Sequence, residues 1–216
     1  PRVLLHTDAC QAAGALSLDT QELRVDLLTL NGSKIYGPKQ TGILFVRSGV
    51  VLEPIIYGGG QEKNLRSGTE NVPGIVGLGV ALTLAQSAAK KESLRLNALQ
   101  KYFIDRLSKK VDGIKLNGPS VVATKNFTRL PNNINISFDN IEGETLMLYL
   151  DSKGIAVATG SACATTSLDP SHVLMAIGQS RTAAYSAVRF TMGKGTTRAS
   201  LDVVIKALGD LVPTLR

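Results

Sequence analysis

Cysteine and histidine are scarce in this chain of 216 residues, which contains two of each and no tryptophan. Cys10 and Cys163 lie far apart, and neither has metal-type spacing to the other or to His6 and His172. Structural zinc needs closely spaced ligands of these types, so we predict no metal site. The few cysteines, with no secretory segment at the start, favour a reducing cytoplasmic setting.

Dense positive charge is also missing, and we expect no apolar run long enough to span a bilayer. We therefore predict no membrane segment. The formal net charge is +7, from 24 Lys and Arg against 17 Asp and Glu. The only adjacent basic pairs are Lys90-Lys91 and Lys109-Lys110, and a solvated helix face explains them better than a nucleic-acid surface.

The start of the chain indicates a cut through a domain. Pro1 is followed at once by an apolar run at residues 3–5, with no helix before it. A sheet that begins in this way would leave an edge or a face uncovered. We therefore expect a further segment to precede this one.

The apolar pattern predicts an α/β fold in two parts. Strands are predicted at residues 3–5, 25–30 and 42–46, with a helical turn near residues 20–24 capped by Asp19 or Thr20. One long helix, or two abutting ones, is predicted over 72–111, with small residues along one face. Strands at 133–138, 155–158 and 187–191 alternate with helices at 142–150, at 171–177 and from about 197. We place the domains at 1–88 and 89–216.

Two segments follow predicted strand ends, where open α/β sheets bind ligands. Asp8 could pair with a protonated ring nitrogen, or it could only cap the next turn. Lys34, beside Ser33 and a Gly-Pro turn, could form a Schiff base near a phosphate, although most lysines in turns are simply solvated. Spacing alone does not separate Lys34 from Lys39.

Three further segments carry candidate chemistry. The glycine-rich stretch 57–71 contains Arg66 and Thr69, which could donate to phosphate or carboxylate, or could belong to a loop without a ligand. Cys163 lies among small residues, which favours an exposed and reactive thiol, whereas Cys10 is expected to be a small buried filler. Arg189 lies in an apolar strand and should meet a carboxylate from the protein or a substrate.

In this order the segments resemble the cysteine desulfurases of the class V aminotransferase superfamily, in the branch serving iron–sulfur assembly. The motifs that carry the resemblance are Asp8-x-x-Gln11, Lys34-x-Tyr36-Gly37-Pro38-Lys39, Gly58-Gly-Gly-Gln61 with Arg66-Ser-Gly-Thr-Glu-Asn71, and Gly160-Ser-Ala-Cys163. The resemblance implies pyridoxal-phosphate fold type I. The chain would comprise part of the large cofactor-binding domain, with a mixed or parallel sheet, and a small C-terminal α/β domain that carries the cysteine loop.

The resemblance also implies a role for each matching residue. Lys34 holds pyridoxal phosphate covalently, while Asp8 pairs with the ring nitrogen and Gln11 with the ring hydroxyl. The remaining roles are phosphate binding for Ser33, contact with the neighbouring subunit's phosphate for Thr69, binding of the L-cysteine carboxylate for Arg189, and persulfide formation for Cys163. The implied partners are a second copy of the chain, a sulfur-acceptor or iron–sulfur scaffold protein, and the enzyme's missing N-terminal segment. The acceptor pathway, iron–sulfur assembly or tRNA thiolation, stays open.

The chain departs from many relatives beside the lysine. Ser33 stands where many have histidine, and Asn31 stands where they have serine, although both can still donate to phosphate. The family's N-terminal portion, with further phosphate ligands and the residue stacked on the ring, has no counterpart here. Alternatives are a selenocysteine lyase or an aminotransferase of the same fold, or a non-catalytic fragment that docks sulfur-relay partners.

Overall fold

The structure is a computed structural model that describes residues 2–120, 129–160 and 169–216. The chain forms two compact units, Pro1–Ser93 and Leu94–Arg216. Both units contain strands and helices, as the predicted α/β class requires. The boundary expected after residue 88 and the boundary between the units both fall within one long helix. The roles assigned to the two domains stay predictions.

The first unit contains a three-stranded mixed sheet. Its strands are β1 (His6–Asp8), β2 (Leu27–Asn31) and β3 (Gly42–Val46), and the short helix α1 (Thr20–Leu23) lies between the first two. β1 pairs with β2 in parallel, and β2 pairs with β3 in antiparallel. The Asp19 side chain accepts hydrogen bonds from the first turn of α1, which selects Asp19 as the cap. The predicted mixed sheet is confirmed.

Residues 3–5 do not form the buried strand that we predicted. Val3, Leu4 and Leu5 are exposed, and β1 begins only at His6. An apolar run becomes a buried strand only where another layer covers it, and the described residues provide no such layer here. The buried core of this unit is formed by residues that follow β1 in the sequence, among them Leu28, Leu30 and Leu78.

Helix α2 (Val72–Lys110) is one continuous helix of 39 residues. Residues 72–89 contain no charged side chain, so the expected lack of a long apolar run does not hold. By length and composition α2 could cross a membrane. This is weak support for a membrane segment, because core helices of soluble proteins pass the same test and Leu78 is buried in the core of the first unit.

The second unit contains an antiparallel sheet of β4 (Ile114–Leu116), β5 (Asn133–Phe138) and β6 (Ala187–Thr191). The helices are α3 (Gly143–Ser152), α4 (His172–Ala176), α5 (Arg181–Tyr185) and α6 (Arg198–Leu211). The core packs Phe103 and Leu107 of α2 against Phe138 and Val188 of the sheet. Thr197 and Ser200 form a capping box at the start of α6.

The strand predicted at residues 155–158 is reduced to a single bridge. Ala158 and Arg189 exchange two backbone hydrogen bonds, of 3.1 Å and 2.7 Å. The first and last residues predicted for β5 and for β6 are confirmed. Alternating apolar residues define those two strands, whereas Gly154 adopts a left-handed backbone and breaks the run before Ile155.

Candidate functional site

Asp8 and the turn carrying Lys34 lie at the same edge of the first sheet. Asp8 is the last residue of β1 and lies opposite Thr29 of β2. Two residues after Thr29, β2 ends at Asn31 and continues directly into a 3₁₀ turn, Gly32–Ile35. Because β1 and β2 are parallel, their carboxyl ends face the same side, which is where open α/β sheets bind ligands.

Asp8 is held as a carboxylate. The backbone N–H of Cys10 donates to Asp8 Oδ1 at 3.0 Å. Hydrogen bonds from the side chain of Cys10, and then from its backbone, lower the pKa of Asp8. The group is therefore ionised at neutral pH, as pairing with a protonated pyridine nitrogen requires.

Lys34 is exposed in the turn that follows β2. The positive charge of Lys34 acts to lower the pKa of Cys10, which places the amine within electrostatic reach of the thiol. Among the described residues, the Lys34 amine has no hydrogen bond or ion pair. The turn that carries Lys34 therefore lies at the end of the sheet where Asp8 and Cys10 are found.

Asn31 shapes the start of the lysine turn. Its side-chain oxygen accepts from the backbone N–H of Ser33 at 2.9 Å and from the Ser33 hydroxyl at 2.6 Å. Tyr36 ends the turn in a left-handed conformation, and Gly37 N–H donates to the Gly32 carbonyl at 2.9 Å. Asn31 and Ser33, the two residues that differ from the family pattern, are therefore hydrogen-bonded to each other. Ser33 is exposed at the edge of the site.

Small residues of α2 pack closely against the lysine turn. A Cβ atom at Gly77 would approach Pro38 Cγ to 2.7 Å, and one at Gly37 would approach Ala81 Cβ to 3.0 Å. Inside the turn, a Cβ at Gly32 would clash with the hydroxyl of Thr41. The small-residue face seen in the sequence is therefore the surface that supports the Lys34 turn.

The glycine-rich segment folds back on itself. The Ser67 hydroxyl donates to the carbonyls of Ile56 at 3.2 Å and Gly59 at 3.0 Å, and Gly68 N–H donates to Gln61 Oε1 at 3.2 Å. Thr69 is exposed beside this turn, and no hydrogen bond of its side chain occurs in the described part of the chain. Gln11, just after β1, is likewise exposed. Their roles stay predictions.

Three consecutive residues of this segment, Glu62, Lys63 and Asn64, have left-handed backbones with φ of 49°, 57° and 64°. Residues other than glycine rarely adopt this conformation, so the turn stores strain. Arg66 bonds to the carbonyl of the adjacent Ser67. No carboxylate partner for Arg66 lies among the described residues.

Arg189 lies in the middle of β6, in the second unit. It faces Asn135 of β5 on one side and Ala158 on the other. The side chain is half-buried, on the sheet face opposite that of the buried Val188 and Phe190. In residues 2–120, 129–160 and 169–216 the guanidinium meets no carboxylate, so the protein carboxylate foreseen as one possible partner does not come from these residues.

Cys163 lies outside the described residues. Cys10 is half-buried, with its sulfur 3.9 Å from the Thr29 carbonyl. Burial, and then the hydrogen bond to Asp8 and the negative charge of Asp8, raise the pKa of Cys10 to about 11. The expected filler is therefore also part of the Asp8 site. Its place two residues after Asp8 was the signal that could have revealed this.

Comparison with known proteins decides the family. The family model described as aminotransferase class V matches residues 2–204. The chain belongs to the class V aminotransferase family.

Among the relatives of this class V chain, cysteine desulfurase IscS of Dictyoglomus turgidum is 45% identical over 214 residues, covering 99% of this chain and 53% of the relative. Cysteine desulfurase IscS of Methanosarcina thermophila is 41% identical over 215 residues, covering 100% and 52%. The chain thus spans about half the length of the curated relatives it matches. The expected resemblance, and its restriction to one part of the enzyme, are confirmed.

Solved structures agree on the fold. A NifS-like protein superposes with a TM-score of 0.84 at 33% identity, covering 98% of this chain and 53% of that one. The protein SspA, solved in complex with cysteine, gives a TM-score of 0.64 at 31% identity, covering 88% and 50%. The likeness to the NifS-like protein confirms the predicted pyridoxal-phosphate fold type I for this class V chain.

Proposed function

We propose that the class V chain is the C-terminal part of a pyridoxal-phosphate-dependent cysteine desulfurase. The enzyme would remove sulfur from L-cysteine, leaving L-alanine and a persulfide on Cys163. The observation that carries the proposal is the location of Asp8 and Lys34 at one sheet edge, in a chain 41% to 45% identical to desulfurases. The pathway that receives the sulfur, iron–sulfur assembly or tRNA thiolation, is a finer part of the same proposal.

The residues at the sheet edge fit pyridoxal phosphate chemically. Lys34 offers an amine without a partner among the described residues, and Asp8 offers a carboxylate whose pKa is lowered. Lys34 would hold the cofactor, Asp8 would keep its ring nitrogen protonated, Gln11 would contact its ring hydroxyl, and Ser33 would contact its phosphate. When bound, pyridoxal phosphate withdraws electrons from the Cα of an amino acid.

Arg189 and Cys163 would act on the substrate from the second unit. The Arg189 guanidinium, without a carboxylate among the described residues, suits the carboxylate of L-cysteine. Cys163 follows Ala158 by five residues in the sequence. Ala158 is bonded directly to Arg189, which ties the base of the cysteine segment to the carboxylate-binding residue.

The sulfur transfer would use the Cys163 thiolate as nucleophile. A bond forms between Cys163 Sγ and the sulfur of the substrate while the Cβ–S bond of the substrate breaks. The electron pair of the broken bond stays with the carbon skeleton, and protonation there completes alanine. Cys163 keeps the sulfur as a persulfide until an acceptor thiolate attacks it.

The partners belong to the same proposal. A second copy of the chain would bring Thr69 to the phosphate of its neighbour, and the enzyme's N-terminal portion would complete the cofactor site. A sulfur-acceptor or iron–sulfur scaffold protein would take the persulfide sulfur. We propose a cytoplasmic location, with no direct binding to nucleic acid or membrane.

Reductive trapping tests the cofactor role of Lys34. The protein, supplied with the N-terminal portion, is incubated with pyridoxal phosphate, reduced with borohydride and mapped by mass spectrometry. We expect the adduct on Lys34, its loss in Lys34→Ala, and its survival in Lys39→Ala as the matched control. An adduct spread evenly over surface lysines would contradict the proposal.

Activity tests the desulfurase assignment once the N-terminal portion is supplied. L-cysteine should give alanine and sulfide, and Cys163→Ser should abolish sulfide release while the Lys34 adduct persists. Equal activity of that variant would remove Cys163 from the reaction. Turnover of selenocysteine alone would favour a selenocysteine lyase, and transfer of the amino group would favour an aminotransferase.

A further inference from the structure

The excess positive charge is concentrated in the second unit. Residues 94–216 contain fifteen Lys and Arg against nine Asp and Glu, whereas residues 1–93 contain nine against eight. The second unit therefore carries six of the seven net positive charges. Such an imbalance attracts acidic partners to one part of the molecule.

Part of this charge lies where α2 and α6 pack side by side. We call this surface the α2–α6 seam, and define it by Tyr102, Arg106 and Lys110 of α2 together with Arg198, Asp202 and Gly209 of α6. The Tyr102 hydroxyl donates to Asp202 Oδ1 at 2.6 Å. The aliphatic stem of Lys110 lies over Gly209, where an added Cβ would come within 2.5 Å of Lys110 Cε.

Two guanidinium groups share the ring of Tyr102. Arg198 Cζ lies 5.2 Å from the ring centroid and Arg106 Cζ lies 6.0 Å from it. Both arginines are exposed, and neither forms an ion pair with a carboxylate among the described residues. Stacking on an aromatic ring orients a guanidinium and leaves its N–H donors free for an incoming anion.

The seam contains a single carboxylate, that of Asp202, which accepts the hydrogen bond from Tyr102. The hydrogen bond to Asp202 raises the pKa of Tyr102, so the phenol stays protonated and keeps donating. Other ring-stacked cations of the second unit are different. Lys153 lies alone over Tyr149, and Arg181, over Tyr185, has Asp169 at 3.9 Å. The seam thus combines two oriented guanidiniums that form no ion pair with the described carboxylates.

We propose that the α2–α6 seam docks an acidic segment of a partner protein, whose carboxylates pair with Arg106 and Arg198. Separate carboxylates can be spaced to meet the two guanidiniums and avoid Asp202. A nucleic-acid backbone carries a charge at every phosphate, and would bring some of them against Asp202 and the nearby Asp105. The seam uses no residue of the proposed desulfurase site, so the two proposals stand or fall separately.

Binding of a fluorescein-labelled peptide of 20 glutamates to the 216-residue chain, followed by anisotropy at low ionic strength, tests the seam. The double variant Arg106→Gln/Arg198→Gln should weaken binding about fivefold, as expected for two exposed charge pairs. The matched control is Lys153→Gln/Arg181→Gln, which removes the same charge from two other ring contacts of this unit. That control should change the Kd less than about twofold.

A variant that is expected to strengthen peptide binding separates the effect of charge from a loss of folding. Asp202→Asn retains an acceptor for Tyr102 but removes the one carboxylate of the seam, and should tighten peptide binding about twofold. Equal weakening by the two double variants would overturn the proposal, as would no measurable binding by the unaltered chain. Tighter binding of a 20-nucleotide oligothymidylate, lost only in the seam variant, would assign the surface to nucleic acid instead.

Discussion

The hydroxyl of Thr41 donates a 2.6 Å hydrogen bond to the carbonyl of Pro38, within the turn that carries Lys34. Thr41 is buried, and its own carbonyl accepts the N–H of Gly32 at 2.9 Å. One residue therefore closes the turn at two points, on either side of Lys34. Tyr36 and Gln40 both have left-handed backbones, with φ of 63° and 62°, which residues other than glycine rarely adopt. The two hydrogen bonds of Thr41 hold the loop in this conformation.

Thr41→Val should loosen this turn. Valine keeps the branched shape but removes the hydrogen bond to the Pro38 carbonyl, which costs about 0.5–1.5 kcal/mol of stability. Amide hydrogen exchange at Gly32 and Gly37 should accelerate, and exchange in β5 should not change. Thr41→Ser keeps the hydroxyl and is the control. If valine and serine gave the same exchange rates, the hydroxyl would have no positioning role.

The sequence was informative about the Lys34 turn and silent about Thr41, for a physical reason. A strand end followed by Asn, Gly and Ser predicts a tight turn from local chemistry alone. The bond from Thr41 to Pro38 lies in a turn that packs against Gly77 and Ala81, which are far along the chain, and such packing has no local signature. The same limit explains why residues 3–5 were predicted to be buried, since an apolar run does not reveal whether a second layer covers it.

The strands of the second unit were easier to predict because their pattern is local. Alternating buried residues such as Ile134 and Ile136 marked β5 at both ends. The sequence also singled out Arg189, as a cation in an apolar strand. It did not reveal that Arg189 lies on the face opposite the core, with Ala158 bonded to its backbone.

Gly77→Ala and Gly79→Ala should have opposite effects on stability. Both substitutions remove a helix-weakening glycine, which alone would stabilise α2 by about 1 kcal/mol. At Gly79 the new Cβ meets nothing within 4 Å, so the gain should remain. At Gly77 it would come 2.7 Å from Pro38 Cγ, and overpacking of about 1–3 kcal/mol should outweigh the gain.

Urea unfolding of the two glycine variants measures this difference directly. We expect the midpoint to rise for Gly79→Ala and to fall for Gly77→Ala. Two midpoints that rise equally would mean that the lysine turn yields freely to α2, and that the small-residue face does not support it.

Cys10 should react slowly with alkylating reagents at neutral pH. Its pKa is raised to about 11 by burial, then by the hydrogen bond to Asp8 and its charge. Only about one thiol in a thousand is then ionised at pH 8, and the thiolate is the form that reacts. The rate of iodoacetamide labelling at Cys10 should rise about tenfold per pH unit between pH 8 and pH 10.

Asp8→Asn should make Cys10 more reactive, because it removes the negative charge that raises the thiol pKa. Peptide mapping after a short iodoacetamide pulse at pH 8 measures the change. Asp19→Asn, whose carboxylate caps α1, is the matched control and should leave labelling at Cys10 unchanged. A labelling rate at Cys10 that is unaffected by Asp8→Asn would contradict the electrostatic link between these two residues.

Asp26→Asn should destabilise the first unit without disturbing the Lys34 turn. The Asp26 carboxylate is buried just before β2, at the end of the strand opposite the turn. It accepts from Leu5 N–H at 3.0 Å, lies 3.3 Å from Arg47 Nε and pairs with Arg2. The isosteric amide loses the charge that these donors share, so unfolding by urea should show a loss of about 2–3 kcal/mol.

Arg2→Gln is the control for the buried carboxylate. The Arg2 side chain is 69% exposed, and an exposed partner contributes about 0–1 kcal/mol, so this variant should stay near the stability of the unaltered chain. Because Asp26 and Lys34 lie at opposite ends of β2, borohydride trapping on Lys34 should survive in Asp26→Asn under folding conditions. Loss of trapping together with stability would mean that the two ends of the sheet unfold as one unit, and that the carboxylate supports the site through β2 itself.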